Sequence, residues 1–243
     1  MFKFRRIIIN SIPEKACSAG LLELNGKDDR KALQKYISNG FIGAKALPYE
    51  VIKEIINLAI KYNKLMFDGF KKPKNKETKA FEGFYTALRI FEIIYSSNGN
   101  FWVIEAKNGE IAGFFYIYDV ISLIHPVKNP PKNEIEYIKK PHTAVLAGCL
   151  KKNFWGLKSK KILSEVLSML FEKENLKKIK CEIFASNPYV KGILKRFDFI
   201  CEGVLKGETI NRGKPENVEI WALFEEKWRA KFKKESEKTP ESQ

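Results

Sequence analysis

The sequence predicts a mixed α/β fold, in which helices pack on a sheet, and three observations support this class. Apolar side chains recur at helical spacing in two stretches before residue 95. From Phe101 the pattern changes to short apolar runs separated by turn residues, which is typical of strands. Two further stretches with helical spacing then lie between later strand-like runs. Helix and strand patterns therefore alternate along most of the chain.

The composition indicates a folded body. Of the 243 residues, 44% are hydrophobic and 13% are aromatic, which is enough for a packed core and argues against disorder. The length lies between one and two domains. No apolar run approaches the roughly 18 residues of a membrane span. Polar residues soon interrupt the run Ile7–Ile9, so we expect no signal peptide, and the expected location is the cytoplasm.

The net charge of +15 comes from lysines that are scattered rather than grouped. A basic surface attracts polyanions, such as nucleic acid, the ribosome, acidic proteins or the phosphates of a cofactor. A lysine-rich composition that only keeps the protein soluble would produce the same charge. Both interpretations stay open from the sequence.

The cysteines indicate free thiols rather than a metal site. Cys17, Cys149, Cys181 and Cys201 lie far apart, without a CxxC pair or the histidine spacing of a zinc site. The last three lie in or beside apolar segments, where a buried thiol behaves as a small hydrophobic side chain. We therefore expect neither a bound metal nor a disulfide.

The first part of the chain divides into an extension and two helices. Residues 1–45 form the predicted N-terminal extension, in which Leu21–Leu24 has strand character and Asn25–Gly26 is a turn signal. A helix is predicted from Pro48, and its apolar side chains continue to Ala59. After a basic break at residues 71–79, a second helix carries an aromatic stripe over residues 81–94.

The main domain is predicted to span residues 46–228 and to be followed by a flexible charged tail at 229–243. Phe101–Ala106 and Ile111–Val120 form a predicted hairpin, and a proline-rich loop (Pro126, Pro130, Pro131 and Pro141) follows. The remaining predicted elements are a strand at Thr143–Leu150, a helix at Ile162–Phe171, a strand at Ile179–Phe184, a helix at Tyr189–Phe197, and strands at Gly203–Thr209 and Val218–Leu223.

A candidate anion site lies between the strand Thr143–Leu150 and the helix that follows it. The first N–H groups of a helix have no partner within the helix, and its dipole favours anions there. Five lysines surround this helix start: Lys151, Lys152, Lys158, Lys160 and Lys161. Cations oppose the dipole unless an anion is bound, so the pattern favours a phosphate site. An ordinary lysine-rich surface loop is the alternative.

The C-terminal half carries a series of short motifs. Phe154–Gly156 is an aromatic-Trp-Gly sequence before a predicted helix, and later motifs follow in order: Asn187–Val190 with Leu194, Asp198–Phe199, Glu202–Lys206, Asn211–Gly213 and Asn217–Leu223. In this order they resemble the GNAT superfamily of N-acetyltransferases, most closely its ribosomal-protein N-terminal (Rim) branch, whose phosphate loop starts with a similar aromatic-Trp-Gly sequence. Several motifs in order are more specific than any one of them.

The resemblance implies a fold, a co-substrate and a reaction. The GNAT fold has a mostly antiparallel, twisted sheet of six or seven strands with helices on both faces. Acetyl-CoA would be the co-substrate, and its acetyl group would pass directly to a primary amine, either a protein N-terminus or a small amine. The pantetheine arm would lie where the strands Thr143–Leu150 and Ile179–Phe184 splay apart.

The resemblance also implies site residues. Glu208 would be the general base, and Tyr189 carries the hydroxyl nearest to the family's general-acid position. The implied residues for binding acetyl-CoA are Cys149, Leu150, Lys151, Lys152, Trp155, Gly156, Leu157, Lys158, Ser159, Lys160 and Asn187.

This sequence departs from the family pattern at five positions. Lys158 and Lys160 replace a glycine and an alanine of the phosphate loop, and Asp198 replaces a glycine. Val190 and Lys195 stand where relatives carry a serine and a tyrosine, so the usual general-acid positions hold no acid. Two alternatives follow: a catalytically degenerate GNAT module that serves in binding or structure, or a basic protein that associates with nucleic acid or the ribosome. The acceptor, the oligomeric state and the role of residues 1–45 stay open.

Overall fold

A computed structural model describes residues 2–7, 49–66, 82–83, 85–87, 89–90, 92–94, 100–126 and 137–237. The strands are β1 (Lys3–Ile7), β2 (Phe101–Glu105), β3 (Ile111–Pro126), β4 (Tyr137–Leu150), β5 (Lys178–Phe184), β6 (Ile200–Asn211) and β7 (Lys214–Phe224). The helices are α1 (Tyr49–Met66), a 3-10 turn (Lys152–Phe154), α2 (Leu157–Ser168) with a π-helical continuation (Met169–Lys173), α3 (Pro188–Arg196) and α4 (Glu225–Glu237). The described residues between 82 and 94 are helical, as predicted.

The strands form one seven-stranded sheet in the order β1-β2-β3-β4-β5-β7-β6. The pair β4 and β5 is parallel, and the other neighbouring pairs are antiparallel. The predicted mostly antiparallel sheet of six or seven strands is therefore confirmed.

Side chains on the two faces of the sheet build two apolar cores. Because side chains of a strand alternate between its faces, Phe115 and Ile117 of β3 join a core with α2, whereas Phe114 packs with α1 on the opposite face. Phe101 of β2 stacks on Phe114 with ring centroids 5.3 Å apart. Helices thus cover both faces, as the sequence predicted.

The hairpin of β3 and β4 is longer than predicted. Pro126 ends β3 and Pro141 lies within β4, so the prediction that these two prolines belong to a loop is wrong. Pro141 pairs with Ser122 beside an irregularity of the register, and prolines in strands are confined to such places and to sheet edges. Pro130 and Pro131 lie outside the described residues.

The predicted N-terminal extension contributes an edge strand to the sheet. The strand β1 pairs antiparallel with β2, and Phe4 packs edge-on against Phe115 with ring centroids 5.7 Å apart. The N–H group of Phe2 donates to the Glu165 carboxylate in α2 at 3.0 Å. The strand and turn predicted at Leu21–Gly26, and the basic break at 71–79, lie outside the described residues.

The chain after β7 forms α4 where the sequence predicted a flexible tail from residue 229. Trp228 is buried against Phe171 with ring centroids 5.2 Å apart, and Arg229 donates to the Glu225 carboxylate one turn earlier. These contacts hold the start of the helix, which continues to Glu237; residues 238–243 are not described. Within the described ranges, no helix is long and apolar enough to span a membrane.

Candidate active site

A cleft opens where β4 and β5 separate. The two strands pair only at Thr143–Val145 with Lys178–Lys180. Beyond this point β4 continues to Leu150 along β3, while β5 follows β7 as far as Phe184. The cleft has a volume of about 1090 Å³. The predicted gap between these strands is therefore present.

The open edge of β4 presents backbone groups to the cleft. The Lys151 N–H donates to the Ala112 carbonyl at 2.9 Å and therefore points toward β3. Because the N–H groups of successive residues in a strand point to alternate sides, those of Gly148 and Leu150 point away from β3. The indole Nε1 of Trp155 donates to the Leu150 carbonyl at 3.0 Å. The N–H groups of Gly148 and Leu150 are thus the donors directed at the cleft.

Cys149 reaches the cleft through its side chain rather than its backbone. By the same alternation the Cys149 N–H points toward β3. Of the two predicted binding residues Cys149 and Leu150, only Leu150 directs its N–H at the cleft. Burial raises the pKa of the Cys149 thiol to about 12. The thiol is therefore neutral at physiological pH.

The start of α2 opens onto the cleft without a side-chain cap. Gly156 is the N-cap with φ 75° and ψ −127°, and the first turn carries no acidic residue. The Ser159 hydroxyl donates to the Gly156 carbonyl at 2.9 Å instead of accepting from a helix amide. The first amides of a helix have no partner within it and favour an anion. Gly156, Ser159 and Lys160 line the cleft here.

Two of the five lysines around this helix start contact other groups. Lys151 binds the Glu54 carboxylate and lies 3.6 Å from that of Glu110. The Lys158 ammonium lies 5.2 Å from the centre of the Phe154 ring, which is a cation–π contact. Among the described lining residues Lys160 is present, whereas Lys151, Lys152, Lys158 and the 84% exposed Leu157 are absent.

Trp155 joins the two helical walls of the cleft. Its ring lies 5.6 Å from that of Tyr62 in α1 and 5.4 Å from that of Tyr189 in α3. Tyr189 lines the cleft and is 66% exposed. Asn187 is buried in the same wall, and its Oδ1 accepts from the Val190 N–H at 3.3 Å. The side-chain oxygen of Asn187 thus caps α3, and the predicted role of Asn187 in binding acetyl-CoA stays a prediction.

A bulge in β6 directs Glu208 toward the cleft. Lys206, Gly207 and Glu208 stand opposite Asn217 alone, between the pairs formed by Leu205 and Thr209. Gly207 has a φ of 61°, and its N–H donates to the Asn217 Oδ1 at 2.8 Å. Bulges of this kind change the direction of a side chain. Glu208 and Tyr189 both line the cleft, whereas their catalytic roles stay predictions.

Sequence reasoning missed a polar wall on the α1 face. Tyr116, Tyr118 and Glu182 line the cleft, and the Tyr118 hydroxyl donates a long hydrogen bond to Glu182 at 3.4 Å. Burial raises the pKa of Tyr116 to about 12, and burial together with the Glu182 charge raises that of Tyr118 beyond its usual range. Both phenols therefore stay neutral. In the sequence this wall was indicated by two tyrosines, Tyr116 and Tyr118, whose spacing of two residues places them on the same face of a strand.

No group of three or more His, Cys, Asp and Glu side chains within the described ranges could hold a metal ion. The polar groups of the described cleft lining are instead hydroxyls, thiols, carboxylates, the Asn187 amide, the cations of Arg89, Lys160 and Arg196, and the backbone amides of β4 and α2. This set can bind an anion at one end and offers carboxylates that can accept protons.

No protein-family model and no curated protein matches the chain. Solved structures do. The spermidine N-acetyltransferase from Vibrio cholerae in complex with CoA and spermine is 19% identical, with a TM-score of 0.51 over 76% of this chain and 96% of that chain. Mutant forms of the spermidine/spermine N-acetyltransferase from Vibrio cholerae are 16% identical, with a TM-score of 0.50 over 77% and 96%.

The ribosomal-protein-S5-alanine acetyltransferase from Vibrio fischeri is 16% identical over 76% of this chain and 93% of that chain. Its TM-score of 0.49 is too low to assign the chain to that branch. At these identities the similarities establish the fold alone.

Proposed function

We propose that this chain, which has the fold of the GNAT acetyltransferases, is an acetyl-CoA-dependent N-acetyltransferase that acts on a primary amine. The observation that carries the proposal is the junction of two features: the open edge of β4 and the uncapped start of α2 face the same cleft. A fold by itself does not grant an activity, so the argument depends on the chemistry of this cleft.

The two features suit the two ends of an acyl-CoA molecule. The amides at the start of α2 and the Lys160 ammonium favour the diphosphate, because each presents positive charge to the cleft. The N–H groups of Gly148 and Leu150 suit the carbonyl groups of an extended pantetheine arm, which would take the place of a neighbouring strand. Trp155 would lie between the two sites, since it covers the Leu150 carbonyl.

Transfer to an amine requires a neutral nucleophile. Glu208 is the proposed general base, which takes the proton of the amine directly or through one water molecule. The amine nitrogen then attacks the thioester carbonyl, whose developing negative charge is stabilised by N–H donors of β4. The carbon–sulfur bond breaks, and the departing thiolate takes up a proton, for which Tyr189 is the nearest hydroxyl by sequence reasoning.

The acceptor is proposed to be a cationic amine. The cleft wall carries the carboxylates of Glu92, Glu182 and Glu208 together with the cations of Arg89, Lys160 and Arg196. A cationic amine would therefore be held beside individual carboxylates rather than by a net negative charge of the cleft. The similarity to a structure described with CoA and spermine supports an amine acceptor at a coarse level. A protein N-terminus and a small amine both satisfy this chemistry.

A thermal-shift titration with acetyl-CoA beside free CoA tests the proposal. A ligand that binds only the native state must raise the melting temperature. We expect a saturable shift with acetyl-CoA, followed by amine-dependent release of CoA when an amine panel is added. If calorimetry detected no binding at millimolar acetyl-CoA, the proposed function would be wrong.

A degenerate module that only binds its ligand is the second candidate. It is favoured by Val190, an apolar residue at the position where relatives carry the acid, and by Asn187, whose oxygen caps a helix. It predicts acetyl-CoA binding without turnover of any amine. Amine acetylation that is lost on changing Gly156 to a bulky residue would exclude it.

A polyanion partner remains a separate proposal from the net charge of +15. Binding of RNA through phosphates must weaken steeply as salt is raised. A filter-binding titration at two salt concentrations would test this, and no binding at low salt would dismiss the partner.

A further inference from the structure

Tyr62 carries a buried hydroxyl that no protein group satisfies within the described part of the chain. The residue is 9% exposed and lines the cleft. Native proteins rarely leave a buried polar group without a partner, because such a group has lost its water and gained nothing in exchange. An unpaired hydroxyl in the wall of a binding cleft therefore points to a partner that arrives with the ligand.

The backbone of α1 leaves helical geometry at this residue. Tyr62 has φ −113° and ψ 15°, and the helix is kinked there. Its ring packs against that of Trp155 at 5.6 Å, and the Lys61 ammonium lies 5.7 Å from the ring centre. The kink and the indole together hold the phenol at the junction between α1 and the end of β4.

The neighbours of Tyr62 indicate which part of a ligand it would meet. Its apolar cluster contains Phe114 of β3 and, at its margin, Cys149 and Trp155, but no described residue of α2. The phenol therefore packs with the end of β4 at Cys149, which lies between Gly148 and Leu150 in the strand. Apart from the Lys61 ammonium over the ring, the side chains of this cluster are apolar, and a neutral carbonyl can pair with the hydroxyl without bringing a further charge into them.

We propose that the Tyr62 hydroxyl donates a hydrogen bond to an amide carbonyl of the pantetheine arm of the bound acyl donor. This inference rests on the proposed function, because it requires an acyl-CoA in the cleft. The same carbonyl-rich arm would be held from two sides: by backbone N–H groups of β4 and by the phenol of α1. Tyr62 is thus a binding residue that recognises the arm rather than the nucleotide.

The variant Tyr62→Phe tests the proposal, with two ligands measured by calorimetry. Acetyl-CoA contains the arm, whereas 3′-phosphoadenosine 5′-diphosphate contains the nucleotide without it. Losing one hydrogen bond is expected to weaken acetyl-CoA roughly three- to tenfold, while affinity for the nucleotide stays unchanged. The free variant should melt no lower than the wild type, because the change removes an unpaired buried hydroxyl.

Tyr85→Phe is the matched control, since it removes a phenolic hydroxyl from a helical residue outside the cleft lining. It is expected to leave the affinity for acetyl-CoA unchanged. Equal losses for the two ligands in Tyr62→Phe, or no loss for either, would overturn the proposal, as would an equal loss in the control.

The wild type separates this inference from the proposed function. Wild-type protein that fails to bind acetyl-CoA at millimolar concentration overturns both. Wild-type protein that binds acetyl-CoA, with Tyr62→Phe binding it equally well, overturns the role of Tyr62 and leaves the proposed function standing.

Discussion

Replacing Gly156 with alanine changes the one backbone conformation that opens the start of α2. At φ 75° and ψ −127° the residue occupies a region that glycine enters freely and other residues rarely adopt. A Cβ atom built there meets nothing within 4 Å, so the cost of the alanine is conformational rather than steric. Holding a non-glycine residue in such a region costs about 1–3 kcal/mol.

The variant has two ways to respond, and both are measurable. If the loop keeps its shape, stability falls by this amount, which lowers the melting temperature by about 2–4 °C per kcal/mol for a chain of this size. If the loop rotates away from positive φ, the first amides of α2 no longer converge on the cleft. Affinity for acetyl-CoA then falls.

A thermal-shift assay measures the second response, the loss of affinity for acetyl-CoA, directly. At a concentration one hundred times Kd, a ligand stabilises the native state by about 2.7 kcal/mol, which corresponds to roughly 5–11 °C. A tenfold loss of affinity would roughly halve that shift at the same ligand concentration. We expect Gly156→Ala to lose at least half of the acetyl-CoA shift of the wild type.

Two glycines supply controls with the same chemical change. Gly109 has φ 79° and open space around it but lies in the β2–β3 turn, outside the cleft lining, so Gly109→Ala should lose stability and keep its full ligand shift. Gly192 lies in α3 without positive φ, and alanine there should stabilise by up to about 1 kcal/mol. A full ligand shift in Gly156→Ala, or an equal loss in Gly109→Ala, would refute the reasoning.

Three further outcomes are expected. Glu208→Gln should lower kcat by about 10²–10⁴-fold with an unchanged KM for acetyl-CoA, because an amide cannot accept the amine proton; unchanged steady-state kinetics would assign the base elsewhere. Asp198 holds a left-handed φ of 61° and pairs with Lys231 at 2.8 Å. Both substitutions lose the ion pair, but glycine also removes the conformational cost of the left-handed φ, about 1 kcal/mol, which alanine keeps. In urea unfolding Asp198→Gly should therefore be more stable than Asp198→Ala, and the reverse order would contradict this. A hydrogen bond from Lys177 holds the pKa of Glu225 below its usual 4.5. The unfolded chain therefore binds the proton more readily, so this stabilisation is complete above pH 4.5 and is lost as the pH falls through the folded pKa. Urea unfolding from pH 7 to pH 3 should show that the free energy of unfolding falls less steeply with decreasing pH in Glu225→Gln than in the wild type. An equal fall would count against the pairing.

Most of the sheet could be predicted because strand and turn signals are local. Phe101–Ala106, the turn after it and the run from Ile111 carry their pattern in consecutive residues, and both strands begin at the predicted residues, although the second continues beyond Val120 to Pro126. The strand β1 was missed because its five residues lack a distinctive pattern. It becomes a strand by pairing with β2, which supplies the hydrogen bonds.

The motif Phe154–Gly156 predicted where the candidate anion site would lie but not the roles of its side chains. Phe154 is buried in the core, Trp155 caps a carbonyl of β4, and Gly156 provides the backbone conformation. The lysines nearby were predicted to converge on an anion. Lys151 instead reaches the carboxylate of Glu54, which is distant in sequence and carries no local signal of that contact.

The sequence by itself determined the order of the helices and strands from α1 to β7, the glycine at the start of α2 and the resemblance from Phe154 to Leu223, since each depends on neighbouring residues. Only the tertiary structure decided that Tyr62, Glu182 and Glu208, from three separate elements, face one cleft. The physical reason is that periodicity along a segment reports which face it buries, whereas the partner of that face depends on how distant segments pack. The separation of β4 from β5 after Val145 is a property of that packing, and it makes the cleft.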